Sequence, residues 1–286
     1  MRTYLECIPC FLNQALKAMA LSKQTDAEKE KVIKEIIRQL AKIDLNKKPP
    51  EFARLVYNII YDASGNQDPY KRIKERDNKK ARGIFPDIKD MADKSSDSLL
   101  AATKAAIAGN IMDFAAHSEY DIEHTISKVM KADLAIDDFS MFKKGLSDAS
   151  SIAYLADNAG EIVLDKILLE QIRKLNDCPV YLYVKGKPIV NDATERDAIF
   201  AGLDKIEGLE IRKISTGFPN TGMKKESQEF NREMENIGMV ISKGQGNYES
   251  LSDSGLNIYF LLIAKCSVIA RDLGVSKGDI ICKGNR

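Results

Sequence analysis

The sequence predicts an α/β fold, a mostly parallel sheet with helices on its faces, preceded by an all-helical amino-terminal region. Three patterns carry this. Over residues 1–145 apolar positions recur at helical spacing and no run reads as a strand. Beyond them, short apolar runs alternate with segments such as DKILLEQIRKL and MKKESQEFNREMENIG, long enough for the crossover helices that parallel neighbours need. Between the two regimes stands SIAYLADNAGEIVLD, where the run Ile152 to Ala156 stops at Asp157-Asn158, Ala159-Gly160 turns the chain, and Glu161 opens a helix carried by Ile162, Val163, Ile167 and Leu168.

In chain order, Phe11, Leu12, Ala15, Leu16 and Ala18 to Leu21 make the first apolar stripe, and Val32, Ile33, Ile36, Ile37 and Leu40 the second. Asp26 is the expected cap of that second helix, with Lys29 where a capping-box acid would sit, so half of the signal is present. Pro49-Pro50 precedes a third helix through Phe52, Leu55, Val56 and Ile59, and DPYKRIKERDNKKA reads as a short helix with a solvated basic face. The alanine-rich LLAATKAAIAGNIMDFAAHS reads as a closely packed core helix. Asn110 and Asp113, three apart, share a face on which polar groups need partners: a pocket wall, support for a metal, or an interhelical hydrogen bond. The strands are expected at Ile152 to Ala156, Val180 to Val184, Leu209 to Ile214, Met239 to Ile241 and Ser267 to Ala270, giving a helical domain 1–98 and an α/β/α domain 99–286.

Composition narrows the function classes. The 286 residues carry 43 basic and 42 acidic side chains, which argues against a nucleic-acid partner held by charge. No apolar stretch reaches membrane-spanning length and the amino terminus lacks a signal segment, so a cytoplasmic protein without a membrane partner is expected. Nothing in the pattern specifies an oligomeric state. Five cysteines are an odd set; Cys7 and Cys10 form a CxxC that is a candidate for a second, structural metal site, a redox pair, or packing. Cys178, Cys266 and Cys282 are the thiols available to complete a tetrahedral site.

Chemistry concentrates at the strand ends, where open parallel sheets bind ligands. Asp157 and Asn158 end the first strand and Asp192 follows the second, so two carboxylates and an amide supply hard oxygen donors for a divalent cation. Ser215, Thr216 and Gly217 after the third strand offer hydroxyls and backbone N–H groups to phosphate oxygens. Lys243, Gly244 and Gly246 after the fourth let the backbone approach an anion, with Lys243 as a point charge. GQGN lacks the rest of a dinucleotide fingerprint.

Taken together, DNAGEIVLD, VNDAT, SKGQGNYESL with IAKCSVIA, AGNIMDF and ECIPCFLNQA resemble the DUF89 family of damage-control phosphatases, related to the acidic-residue methyltransferase-like proteins, over nearly the whole chain. The CxxC resembles its compact prokaryotic and archaeal subfamily. The resemblance implies a Rossmann-like α/β/α region and a metal-dependent phosphatase of small phosphorylated metabolites, sugar phosphates among them. It implies a divalent metal (manganese, nickel, cobalt or magnesium) on Asp157, Asn158 and Asp192, substrate phosphate near Lys265, and Asn110 and Asp113 lining the same cleft. An adenosylmethionine-dependent carboxyl methyltransferase and a noncatalytic phosphometabolite binder are the alternatives. Against the first, an adenosyl cofactor has no use for an oxygen triad.

Overall fold

The computed structural model describes residues 1–111, 119–214 and 224–285, without the side chains of 119–121, 123 and 224–227. Helices α1 (Cys7–Ala20), α2 (Asp26–Leu40) and α3 (Pro49–Ser64) pack around Phe11, Ala15, Met19, Val32, Ile36, Phe52, Val56 and Ile60. The cap of α2 falls one residue earlier than expected. Thr25 accepts from Glu28 N while the Glu28 carboxylate accepts from Thr25 N at 2.7 Å, so the capping box is complete.

The basic segment after Pro69 is not a short solvated helix. It begins α4 (Lys71–Asp93), whose residues Lys74, Asp77 and Asn78 are buried and whose Ala81, Ile84, Ile88 and Ala92 join the core on one face of the sheet. The apolar positions that settle this lie beyond the charged stretch. The expected domain boundary at residue 98 therefore falls after a helix that packs with the sheet. Asp97 caps α5 (Ser98–Gly109) by accepting from Leu100 N at 3.0 Å, and α6 (Glu119–Lys131) follows.

The sheet then assembles from β1 (Ile136–Asp137), β2 (Ile152–Leu155), β3 (Val180–Lys185), β4 (Leu209–Ile214), β5 (Met239–Lys243), β6 (Ile258–Ile263) and β7 (Ile280–Gly284), in the spatial order β1-β7-β6-β5-β2-β3-β4. Neighbours are parallel except β6 and β7. The helices between them are α7 (Phe139–Asp148), α8 (Glu161–Leu175), α9 (Glu195–Ala201), α10 (Lys224–Glu235), α11 (Gly244–Leu251) and α12 (Ser267–Leu273). Ser267 to Ala270, expected as the last strand, is instead the start of α12. The run is too short for its apolar character to separate strand from helix, and Cys266 caps it by accepting from Ile269 N.

Period-two alternation divides the sheet between two cores. Ile152, Tyr154, Val180, Leu182, Met239 and Ile241 face α4, α5, α8 and α9, while Ala153, Leu155, Tyr183 and Val240 face the layer of α10, α11 and α12. Among the described residues no helix is long and apolar enough to cross a membrane.

One close contact between helices bears on the site. A Cβ at Gly109 would lie 3.2 Å from Glu161 Cγ and 3.3 Å from Glu161 Cα, so α5 meets α8 with little room for a side chain. Gly109→Val is expected to cost about 1–3 kcal/mol by overpacking. Urea unfolding checks it: the midpoint should fall with the slope unchanged.

Candidate active site

The order of strands reverses at β2. The chain leaves it outward through β3 and β4, then returns to its other side with β5 and β6, so a crevice opens at the carboxyl ends of β2 and β5. Two loops close on each other there. Ala193 N donates to Asp157 O and Ala159 N to Asn191 O, both at 2.8 Å, which pairs Asn158 antiparallel with Asp192. Asp157, Asn158 and Asp192 are thereby brought together; Asn158 and Asp192 are buried and Asp157 is half-buried. Asn110, at the end of α5, reaches the same group: its Nδ2 donates to Asp157 Oδ2 at 2.9 Å and to Glu161 Oε2 at 2.5 Å.

From the β5 side, Gly244 completes the crevice. Its φ is +77°, and a Cβ there would sit 1.9 Å from Asp157 Oδ2. Only a residue without a side chain brings β5 this close to Asp157.

Lys243 takes a different place from the one expected. It continues the face of Met239 and Ile241, so alternation turns its side chain inward beneath α5 and α8. The ammonium, fully buried, donates to Ala106 O at 2.9 Å, Glu161 Oε1 at 2.6 Å and Asp165 Oδ1 at 2.5 Å. Its three hydrogens are spent, so it is a buried counterion rather than a phosphate contact. Burial alone would lower its pKa, and the two carboxylates more than reverse that. Burial pushes Asp165 up to about 6, against the opposing pull of Lys243.

A second lysine enters from β3. Lys185 is buried, with Nζ 3.5 Å from Asp192 Oδ2 and 3.4 Å from Asn247 Oδ1. The walls come from the amino-terminal helices. Asn78 Oδ1 accepts from Gly160 N and its Nδ2 donates to Asp197 Oδ1, both at 2.7 Å. Tyr61 OH accepts from Val190 N at 3.2 Å, and Val190 holds φ +47°, a left-handed conformation rare for a β-branched residue. This strain lies two residues from Asp192, where a loop must be held in one shape.

Lys265 follows β6 and lines a cavity of about 550 Å³ with Ile111, Ile122, Val129 and Ile263. Asp113, Thr216 and Gly217, together with Ser215, lie outside the described residues. Cys7 and Cys10 stand at the start of α1, where burial raises both thiol pKa values and the nearby Glu249 carboxylate adds to the rise. Cys178 and Cys282 belong to the core on the other face. Among the described residues no three His, Cys, Asp or Glu side chains gather so as to hold a metal ion.

Sequence reasoning missed Glu161, Asp165, Lys185, Asn247, Asn78 and Tyr61 as parts of the site. Glu161 and Asp165 left a signal: two carboxylates four apart on a helix otherwise dense in Ile, Leu and Val share its buried face.

The oxygen donors suit a hard divalent cation. Four carboxylates, Asp157, Glu161, Asp165 and Asp192, meet two ammonium groups, Lys185 and Lys243, leaving two formal negative charges. Asn110 Oδ1 is buried with no hydrogen-bond partner among the described residues. Both are what a site for such an ion would show.

The chain matches the damage-control phosphatase ARMT1-like domain over residues 3–281. It is 35% identical over 291 residues to a damage-control phosphatase of Pyrococcus horikoshii, covering all of this chain and 99% of that protein. A damage-control phosphatase of Archaeoglobus fulgidus is 34% identical over 236 residues, covering 81% of each chain. The crystal structure of a DUF89 family protein from Pyrococcus horikoshii superposes with a TM-score of 0.87 at 33% identity, covering all of both chains.

Gly244→Ala tests the crevice geometry. The left-handed backbone and the encounter with Asp157 together are expected to cost more than about 1 kcal/mol and to displace the carboxylate. Thermal unfolding should show the loss, and calorimetric titration of manganese should show weaker binding than in wild type.

Proposed function

Because the chain belongs to the ARMT1-like (DUF89) damage-control phosphatase family, we propose that it is a divalent-metal-dependent phosphomonoesterase of small phosphorylated metabolites, sugar phosphates foremost. The observation that carries the reading is the crevice at the β2–β5 switch point, where buried oxygen donors hold an excess of two negative charges beside an amide oxygen that has no partner among the described residues. Asp157, Asn158 and Asp192 would hold the ion. Manganese, nickel, cobalt or magnesium bound there would supply charge neutralisation to a phosphoryl group and an activated water.

The chain's own groups have separate tasks. Lys265, half-buried beside the cavity that follows β6, stabilises the developing charge on phosphoryl oxygens. Lys185 pairs with the Asp192 carboxylate at 3.5 Å at the opposite wall. Asp157 and Asp192 orient the attacking water, and the pairing of their loops holds them at a fixed separation. Direct attack by Asp157 on phosphorus is the less favoured route, because Asn-Ala follows it where an aspartyl-phosphate enzyme of the haloacid-dehalogenase type has a second Asp. The near balance of 43 basic and 42 acidic residues accords with a small-molecule substrate rather than nucleic acid.

A phosphate-release screen over sugar phosphates, nucleotides, phosphoamino acids and cofactor phosphates, with each of the four metals, tests the reading. Metal-dependent release with sugar phosphates preferred is expected; turnover of nucleotides alone removes the substrate assignment, and methyl transfer from an adenosyl donor without phosphate release removes the reaction class. Asp157→Ala and Asp192→Ala should each lower kcat/KM by more than about a hundredfold with far-UV circular dichroism unchanged. For Lys265→Ala the expected signature is a split: inhibition by inorganic phosphate weakens and turnover falls while calorimetric metal affinity is kept.

A further inference from the structure

Two carboxylates and two amides in the crevice form a closed ring of hydrogen bonds. Asp157 Oδ2 accepts from Asn110 Nδ2 at 2.9 Å and from Asn158 Nδ2 at 2.7 Å. Glu161 Oε2 accepts from the same two nitrogens, at 2.5 and 3.1 Å. Each NH2 group has two hydrogens, so the ring consumes all four and leaves both amide oxygens outside it. Turning either amide over would set an oxygen lone pair against two carboxylate oxygens, so the carboxylates decide which end of each amide is which.

Both oxygens of Glu161 already accept hydrogen bonds, and the residue is fully buried. Its second oxygen, Oε1, accepts from Lys243 at 2.6 Å. Lys243 is fixed in turn by Asp165 and by Ala106 O in α5, one turn before Asn110. The closeness of α5 and α8 at Gly109 brings the Asn110 amide within reach of Glu161.

We propose that Glu161 is a positioning residue for divalent-cation binding: backed by Lys243, it orients the Asn110 and Asn158 amides so that their oxygens, rather than their NH2 groups, are left for the cation. The inference rests on the metal reading of the crevice. It adds Glu161 to the functional set and gives Asn110 and Asn158 a defined orientation before any ion arrives, so the ion meets an arranged donor set.

Glu161→Gln is the informative change. The amide it introduces has one oxygen and one NH2 group: with the NH2 toward Lys243 the ring survives, and with the NH2 toward the two asparagine NH2 groups it is broken. The ammonium, fixed by Asp165 and Ala106 O, takes the oxygen and so selects the broken arrangement. Asp165→Asn removes the same charge from beside the same ammonium but touches neither asparagine of the ring. Charge loss is common to the two variants and amide orientation is not. Manganese titrated calorimetrically into metal-free protein should bind Glu161→Gln about tenfold more weakly than Asp165→Asn. Equal losses in the two, or wild-type affinity in Glu161→Gln, overturn the proposal.

Should Glu161→Gln fail to fold, wild-type protein decides. With asparagine-selective 15N labelling and Asn110→Ser and Asn158→Ser for assignment, the side-chain amide hydrogens of Asn110 and Asn158 should exchange with solvent far more slowly than those of exposed asparagines in the absence of metal. Exchange at the exposed rate overturns the proposal as well. Asp157→Ala separates the two levels: if it too binds manganese like wild type, the metal reading fails, whereas loss in Asp157→Ala with none in Glu161→Gln removes the positioning role alone.

Discussion

Lys243 is a fully buried ammonium held by two fully buried carboxylates, and the architecture around the crevice depends on that arrangement. Taking three charges out of water is unfavourable unless each is hydrogen-bonded, and breaking such a group by removing one partner costs roughly 3–5 kcal/mol. The requirement fixes several features at once. Helix α5 must approach α8 closely enough for Ala106 O to reach Nζ, which the bare backbone at Gly109 permits. Strand β5 must end in the register that turns Lys243 toward those helices, after which Gly244 passes over Asp157. Strand, helix and loop are therefore positioned by one electrostatic group beneath the site rather than by the site itself.

The amino-terminal helices serve the crevice as walls. Asn78 from α4 binds the Gly160 backbone N–H, and Tyr61 from α3 accepts from Val190, whose left-handed backbone precedes Asp192. Neither loop is held by the sheet alone. A division into a helical domain and an α/β/α domain describes the order of elements along the chain, while α4 packs in the same core as α8 and α9. Contacts made by Asn78 and Tyr61 place the crevice loops under tertiary control from residues far away in sequence.

Most of the sheet and the crevice loops were legible because their signals are local. Strand-length apolar runs, the DNAG turn and the acid after the second strand can each be read within a few residues, and the family resemblance converges on the same positions. What escaped depends on direction and partners. Lys243 reads as an anion contact in sequence because it ends a strand beside glycines; the alternation of β5 turns it inward. Asp77 and Asn78 sit in a stretch so charged that a solvated face is the natural reading, and they are buried because the apolar stripe of the same helix starts one turn later, at Ala81. Ser267 to Ala270 is too short for either period to show. The six apolar residues of β6 form the strand that delivers Lys265.

The distribution of charge across the crevice bears on what it can accept. Carboxylates crowd the β2 side, whereas a cavity of about 550 Å³ beyond β6 is lined by Lys128, Lys265 and Lys277, by Asp133 and Asp279, and otherwise mostly by apolar side chains. In the proposed reading a phosphomonoester would set its anionic group toward Lys265 and its remainder in that space. The volume lies within the range of small-molecule sites and far below what a folded phosphoprotein would require. A phosphoryl group between the oxygen donors and Lys265 would leave the rest of the molecule against Ile111, Ile122 and Val129, surfaces that contribute contact area but few directed hydrogen bonds. Discrimination among leaving groups by such a wall is modest, since a methylene more or less changes binding by only about 1–3 kcal/mol. Under the proposed function, selectivity for the phosphoryl group and tolerance of what it is attached to would follow from the same arrangement of side chains.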